Sequence, residues 1–184
     1  SGTGKLSLKT TPYDDFPSLP FPDNPKNKLI ISSTVLRPVL VSIASCASTS
    51  SVRPELASIY LSIEGGSVTL VATDSFRLAE KKIPLTTKST QGIFLLPAKN
   101  ALEIAQALPE EDIIISFDEH QCAFVGNNIM LVSRLTNTAY PDYRQIIPKE
   151  LVTTATILRK DFETALKHTS IFADSFQKVR LAFD

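Results

Sequence analysis

The sequence predicts an α+β fold of antiparallel sheets with helices carried on one face. Three observations point there. Two stretches place apolar residues at helical spacing, Thr34 to Ala47 and Pro97 to Leu108. The runs between and after them are short, alternating and strand-like. The resulting order is β-α-β-β-β, traversed twice, which calls for sheets covered by helices on one side.

Each element follows from local chemistry. In the first helix Val35, Leu36, Val39, Leu40, Ile43 and Ala47 recur on one stripe, with Ser33 or Thr34 as N-cap and Pro38 about one turn in. Leu56 to Glu64 reads as a strand. Gly65-Gly66 then makes a tight turn into a second strand, Val68 to Asp74, which is a hairpin signature. Phe76 to Pro84 is a third strand, alternating up to Lys81-Lys82, and Ile93 to Leu96 a fourth. Pro97 opens the second helix at the first helical position, where its missing N–H is harmless. Asp112 to Phe117, Gln121 to Val125 and Asn128 to Leu135 complete the second set of strands.

The chain also repeats itself. Gly4 to Lys9 and Asn128 to Ser133 are similar strand-like runs, followed by Phe16-Pro17 and Tyr140-Pro141, which lie 124 residues apart. Leu29-Ile30-Ile31 and the helix after it correspond to Ala155-Thr156-Ile157 and the pattern after that. Ile31 matches Ile157, Leu40 matches Leu166 and Ala47 matches Ala173, 126 residues apart. A repeating unit of about 125 residues, a common domain size, accounts for both. The chain then reads as the tail of one copy (1–22), one whole copy (23–148) and the head of a third (149–184). Phe16 to Lys28, with Pro17, Pro20, Pro22 and Pro25, reads as an extended linker, and Tyr140 to Thr154 as its counterpart.

Composition narrows the function. Lys+Arg and Asp+Glu both number 19, so no whole-molecule basic field exists and any nucleic-acid contact must come from local clustering. Cys46 and Cys122 have no paired spacing for a disulfide framework or a zinc site. Both read as buried free thiols, which fits a reducing, cytoplasmic setting. No apolar run approaches the roughly 18 residues of a membrane span. The start, Ser1-Gly2-Thr3-Gly4, has no signal-peptide pattern and no Met, and reads as the start of a cut chain. A hydrolase could be imagined from Cys46 or Cys122 with His120 or His168, of which Cys122 and His120 lie two positions apart on one side of a strand. Yet no nucleophile elbow or Gly-rich phosphate loop accompanies them. Asp118-Glu119-His120 reads as a polar hairpin turn and Asp14-Asp15 as solvated, so no catalytic residue, metal or cofactor is expected.

Three motifs carry a family resemblance. Val71-Ala72-Thr73-Asp74-Ser75-Phe76-Arg77-Leu78-Ala79 resembles V-A-T-D-G-H-R-L-A of the bacterial DNA sliding clamps, the beta subunits of DNA polymerase III. Tyr140-Pro141-Asp142-Tyr143-Arg144-Gln145-Ile146-Ile147-Pro148-Lys149 resembles F-P-D-Y-R-R-V-I-P-K, and Asp15-Phe16-Pro17-Ser18-Leu19-Pro20 resembles D-F-P-N-L-P. They occur in the family's order and cover nearly the whole chain.

The resemblance implies a DNA-clamp fold and a function without chemistry. Such clamps are rings of two protomers with three similar domains each, helices on the inner face and antiparallel sheets outside. The ring encircles duplex DNA without regard to sequence, held by topology and by phosphate attraction. It tethers the replicative DNA polymerase, is placed by a clamp loader, and serves other proteins that carry a clamp-binding motif. Position by position, the resemblance assigns a partner-peptide pocket to Leu56, Thr73, Ser75, Phe76, Arg77, Leu78, Pro141, Gln145 and Ile146. Leu56, Leu78, Pro141 and Ile146 would supply an apolar floor. Arg77 and the Thr73 hydroxyl would orient the peptide. Ser75 stands where Gly is usual, Phe76 where His is usual and Gln145 where Arg is common. A positive φ at position 75 would cost Ser more than Gly. DNA-facing candidates are Arg37, Arg53, Lys99, Lys160 and Lys167. The competing class is a stand-alone peptide-binding adaptor, against which the repeat argues.

Overall fold

The computed structural model describes residues 7–12, 27–86, 90–150, 152–173 and 178–182. It forms two compact units, Ser1–Pro141 and Asp142–Asp184. The Asp15 to Pro20 motif, the Asp14-Asp15 pair and residues 16–26 of the linker lie outside the described residues. The strand expected at Gly4 to Lys9 is not formed over its described part, 7–9, which finds no pairing strand among the described residues.

The first unit runs β1 (Lys28–Ser32), α1 (Ser33–Ala44), β2 (Ser58–Glu64), β3 (Ser67–Thr73), β4 (Leu78–Pro84), β5 (Gly92–Pro97), α2 (Ala98–Ala107), β6 (Asp112–Phe117), β7 (Gln121–Val125) and β8 (Met130–Arg134). The doubled β-α-β-β-β order is therefore present. Its two halves are interlocked, because each donates its first strand to the other's sheet. The sheets run β4-β3-β2-β5 and β1-β6-β7-β8, and every pairing is antiparallel.

Alternation in the strands fixes which face is buried. Ile59, Leu61 and Ile63 of β2 join Val68, Leu70 and Ala72 of β3 in one core, with Ile113, Ile115 and Phe117 of β6. Leu36, Leu40 and Ile43 of α1 and Ala101, Ile104 and Ala105 of α2 close over it. Each such Leu or Ile, at 6% exposure or less, contributes about 1.5–3 kcal/mol relative to an exposed position.

Several boundaries shift for identifiable reasons. Helix α1 ends at Ala44, not Ala47, and its N-cap position is Ser32. Ser33 is buried and tied to the start of β6: its N–H donates to the Glu111 carbonyl (2.9 Å) and its Oγ accepts from the Glu111 N–H (3.1 Å). Pro38 sits sixth in the helix without ending it. Thr34, whose carbonyl loses its usual donor, is exposed to water. Pro97 is the last residue of β5 and the N-cap of α2, one position earlier than the sequence suggests, and the Ala98 N–H donates to the Ala57 carbonyl at 2.9 Å. Leu56 precedes β2 and Phe76 precedes β4, so both leave the strands assigned to them. The Gly65-Gly66 turn is as expected, with φ of 58° and 77°.

The second unit holds a short 3-10 turn, Tyr143–Gln145, and α3 (Arg159–Ser170). Helix α3 has 12 residues, as α1 does, and starts at 159 against 33, so the spacing of 126 recurs in the helices. Ile157 is not in a strand, unlike Ile31, because no strand stands beside it among the described residues.

Candidate partner-binding site and DNA-facing surface

The register gathers much of the predicted pocket at one end of the β4-β3-β2-β5 sheet. Thr73 pairs with Leu78, and Ser58 pairs with Pro97. Strand β2 starts at the end where β3 finishes, so Leu56, just before β2, belongs to the same end as the 74–77 turn. Leu56 is 4% exposed yet outside the main core cluster. It is fixed on both sides: its N–H donates to the Arg53 carbonyl (3.0 Å) and its carbonyl accepts from the Ser48 N–H (2.8 Å). Leu78 is half-buried at the start of β4.

The 74–77 turn is heavily bonded. Asp74 Oδ1 accepts from the Phe76 and Arg77 N–H groups, each at 3.0 Å, and Oδ2 accepts from Arg77 Nε at 3.0 Å. These backbone donors, aided by the guanidinium, hold the Asp74 carboxyl below its usual value. Thr73 Oγ1 donates to the Arg77 carbonyl (2.7 Å) and accepts from the Ser75 N–H (3.1 Å). Expected to orient a peptide, this buried hydroxyl instead spends its proton on the turn. Ser75 takes φ 78°, the left-handed conformation that its side chain disfavours. Phe76 is 97% exposed, so it projects rather than lines a wall. Sequence reasoning missed Asp74, the organising acceptor. Its signal was an Asp followed by donors two and three residues on, the pattern of a side-chain-closed turn.

A second missed feature is the segment after β8. Its Thr136 N–H donates to the Leu95 carbonyl (2.9 Å), Thr136 Oγ1 bonds Ser58 Oγ (2.8 Å), and Tyr140 stacks on Tyr60 with centroids 5.0 Å apart. Pro141, half-buried, follows directly. Gln145 and Ile146 belong to the second unit. There Gln145 Nε2 donates to Asp142 Oδ2 (2.8 Å), and Ile146 is 64% exposed.

The basic candidates are scattered and mostly engaged. Arg37 Nε donates to the Ala105 carbonyl at the end of α2 (3.0 Å), and its Nη1 lies 3.8 Å from Glu110. Arg53 pairs with Glu55 at 2.9 Å and Lys167 with Glu163 at 3.0 Å. Lys99 and Lys160 are exposed on α2 and α3. The remaining exposed face of α1 is uncharged, built from Thr34, Val35, Pro38, Val41 and Ser42.

The imagined Cys–His pair does not form. Cys122 is fully buried and desolvation pushes its thiol up to about 12, which removes the thiolate needed for attack. His120 is exposed in the turn before β7, where Asp118 Oδ1 accepts from the His120 and Gln121 N–H groups. Asp118-Glu119-His120 is therefore the polar turn that the sequence suggested. Cys46 is free and only partly buried, in the turn after α1 rather than inside it. Among the described residues no three His, Cys, Asp or Glu come together as a metal site, and no helix is long and apolar enough to cross a membrane.

Residues 30–142, more than half of the chain, match the family described as DNA polymerase III beta subunit, central domain. The chain belongs to the DNA polymerase III beta subunit family. Beta sliding clamps of Halalkalibacterium halodurans and Staphylococcus epidermidis are 28% identical over 180 residues and 30% over 175. Each alignment covers 94% of this chain, but 47% and 46% of the relative. The chain thus spans about half the length of the curated relatives it matches. Among solved structures, the DNA polymerase sliding clamp of Bacillus subtilis superposes with a TM-score of 0.87 at 28% identity, covering 95% of this chain and 47% of that one. A putative DNA polymerase III beta subunit from Eubacterium rectale shares the fold at a TM-score of 0.85 and 17% identity, over 96% of this chain and 48% of that one. The interlocked pair of antiparallel sheets under two helices is the fold shared with these beta subunits.

Proposed function

We propose that this chain is the middle of a DNA polymerase processivity clamp, a non-catalytic ring that surrounds duplex DNA and tethers the replicative polymerase. The observation that carries this is the match of residues 30–142 to the beta-subunit central domain, joined to the 0.87 superposition at 28% identity. On this reading 23–148 is the central domain, 1–22 the end of the domain before it and 149–184 the start of the one after. The full-length protein is a cytoplasmic homodimeric ring, loaded by a clamp loader and shared among proteins that carry a clamp-binding motif. Sequence-independent encirclement suits a helix face with few charges. Strong phosphate contacts would impede sliding, and Arg53, Lys99, Lys160 and Lys167 supply a modest, salt-sensitive attraction.

Partners insert a short peptide beside Leu56, Thr73 to Leu78 and Pro141, and the family resemblance assigns the same role to Gln145 and Ile146 of the second unit. Leu78, half-buried, offers apolar surface at a fixed end of the sheet, where Leu56 is part of the packing. Arg77 offers guanidinium donors beyond the Nε that Asp74 holds. Thr73 acts indirectly, by fixing the turn. The test is binding of a fluorescent clamp-motif peptide to the full-length protein, wild type against Leu78→Ala and Arg77→Ala. Micromolar binding weakened by both substitutions supports the tether. Absence of binding to the wild type overturns the pocket while leaving the fold intact.

A further inference from the structure

We propose that the seam between the two sheets holds a second docking groove, which takes an extended, basic-and-apolar segment of a partner protein. It is lined by other residues than the peptide pocket above, although its Tyr140 directly precedes Pro141 of that pocket.

Two adjoining hollows, of about 350 and 560 Å³, share Ile93, Asp118 and Glu119. Tyr60, Leu95 and Tyr140 line the first, and Gly92 and His120 the second. Strand β5 ends its sheet, and its outer edge is open at Ile93. The Leu95 carbonyl accepts from Thr136, so it points away from β2. In an antiparallel ladder, groups two residues apart point the same way. The Ile93 N–H and C=O therefore lie on that same outer edge, where no strand among the described residues pairs with them. Ile93 itself is 64% exposed beside them. Thr136 takes the edge at Leu95, so at Ile93 the edge offers an extended segment one open N–H and C=O beside an exposed β-branched side chain.

Charge identifies the occupant. The groove's described lining contains Asp118 and Glu119 but no Lys or Arg. Asp118 spends Oδ1 on the turn's own N–H groups, while Glu119 is exposed. An extended segment entering at Ile93 would set an apolar side chain over Ile93, with the Tyr60–Tyr140 stack in the adjoining hollow. Its Lys or Arg residues would reach the two carboxylates. An acidic segment would meet like charge, so the groove selects by sign as well as by shape.

The test uses full-length protein and a fluorescein-labelled octapeptide of alternating Lys and Val, with the Glu–Val peptide as control. Saturable binding of the Lys–Val peptide is expected, at least tenfold tighter than that of the control. Glu119→Gln and Ile93→Thr should each weaken it severalfold or more, at unchanged melting temperature because both positions are exposed. Leu78→Ala should leave it unchanged, which separates this groove from the clamp-motif pocket. Binding that ignores both groove substitutions, follows Leu78 instead, or never saturates would overturn the proposal.

Discussion

The two turns at the ends of β3 meet the same backbone demand in opposite ways. Between β2 and β3, Gly65 and Gly66 take φ of 58° and 77°, at a residue type that pays no steric penalty there. Between β3 and β4, Ser75 takes φ 78° with a side chain, a conformation that costs on the order of 1–2 kcal/mol for an L-residue. The first turn is relaxed. The second persists because Asp74 and Thr73 bond around it, and it displays a Phe at 97% exposure. A relaxed turn needs no explanation beyond chain reversal. A strained, over-bonded turn that exposes an aromatic ring has the form of a functional device, since strain survives where surrounding bonds over-determine it. On the proposed reading, the sheet keeps one end for folding and the other for contact.

The sharpest break comes at Asp74. Asp74→Ala removes the acceptor of three hydrogen bonds and should cost about 2 kcal/mol in urea unfolding. It should weaken clamp-motif peptide binding as strongly as Arg77→Ala does. A loss under about 0.5 kcal/mol would mean that the turn stands without Asp74. Next come two substitutions of opposite sign. Gly66→Ala should destabilise by about 1 kcal/mol, while Ser75→Gly should stabilise by a similar amount. Equal signs would end the contrast between the turns. Phe76→Ser should change stability by no more than about 0.5 kcal/mol. If the ring is displayed for partners, the same variant should nonetheless lose peptide affinity severalfold.

These differences were only partly legible in the sequence. The strand alternation, the Gly-Gly turn and the doubled order could be read because side-chain period and Gly chemistry are local. The exchange of first strands between the halves was not legible, because pairing partners 80 or so residues apart leave no local mark. Ile30 opposite Ile114 is such a pair. At the candidate site, the family motif drew attention to the 71–79 stretch, and the departure at Ser75 correctly marked a position of positive φ. The motif could not say that Thr73's hydroxyl was already committed, or that Phe76 projects. Both depend on where Asp74 and the Arg77 carbonyl fall in space. Ser33, expected as a cap, was claimed by Glu111, 78 positions away. The spacing of the basic residues gave no sign that Arg37 is held by the end of α2.

The smallest effect separates the two turns by pH. Asp74's carboxyl is held below the ordinary 3.8 of an aspartate side chain, chiefly by the Arg77 and Phe76 N–H groups. A carboxyl depressed in the folded state lends stability above its unfolded value and loses it as pH falls through the folded one. The 74–77 turn should therefore be fully held at pH 5 and above, and should loosen only at pH well under 4. In amide NMR spectra, the Phe76 and Arg77 signals should shift together with a midpoint below 3.8, as their shared acceptor protonates. Gly66, whose turn contains no carboxylate acceptor, should not follow that midpoint. A midpoint for Phe76 and Arg77 above 3.8 would mean that the carboxylate is not the turn's acceptor. The strain at Ser75 would then need another source of support.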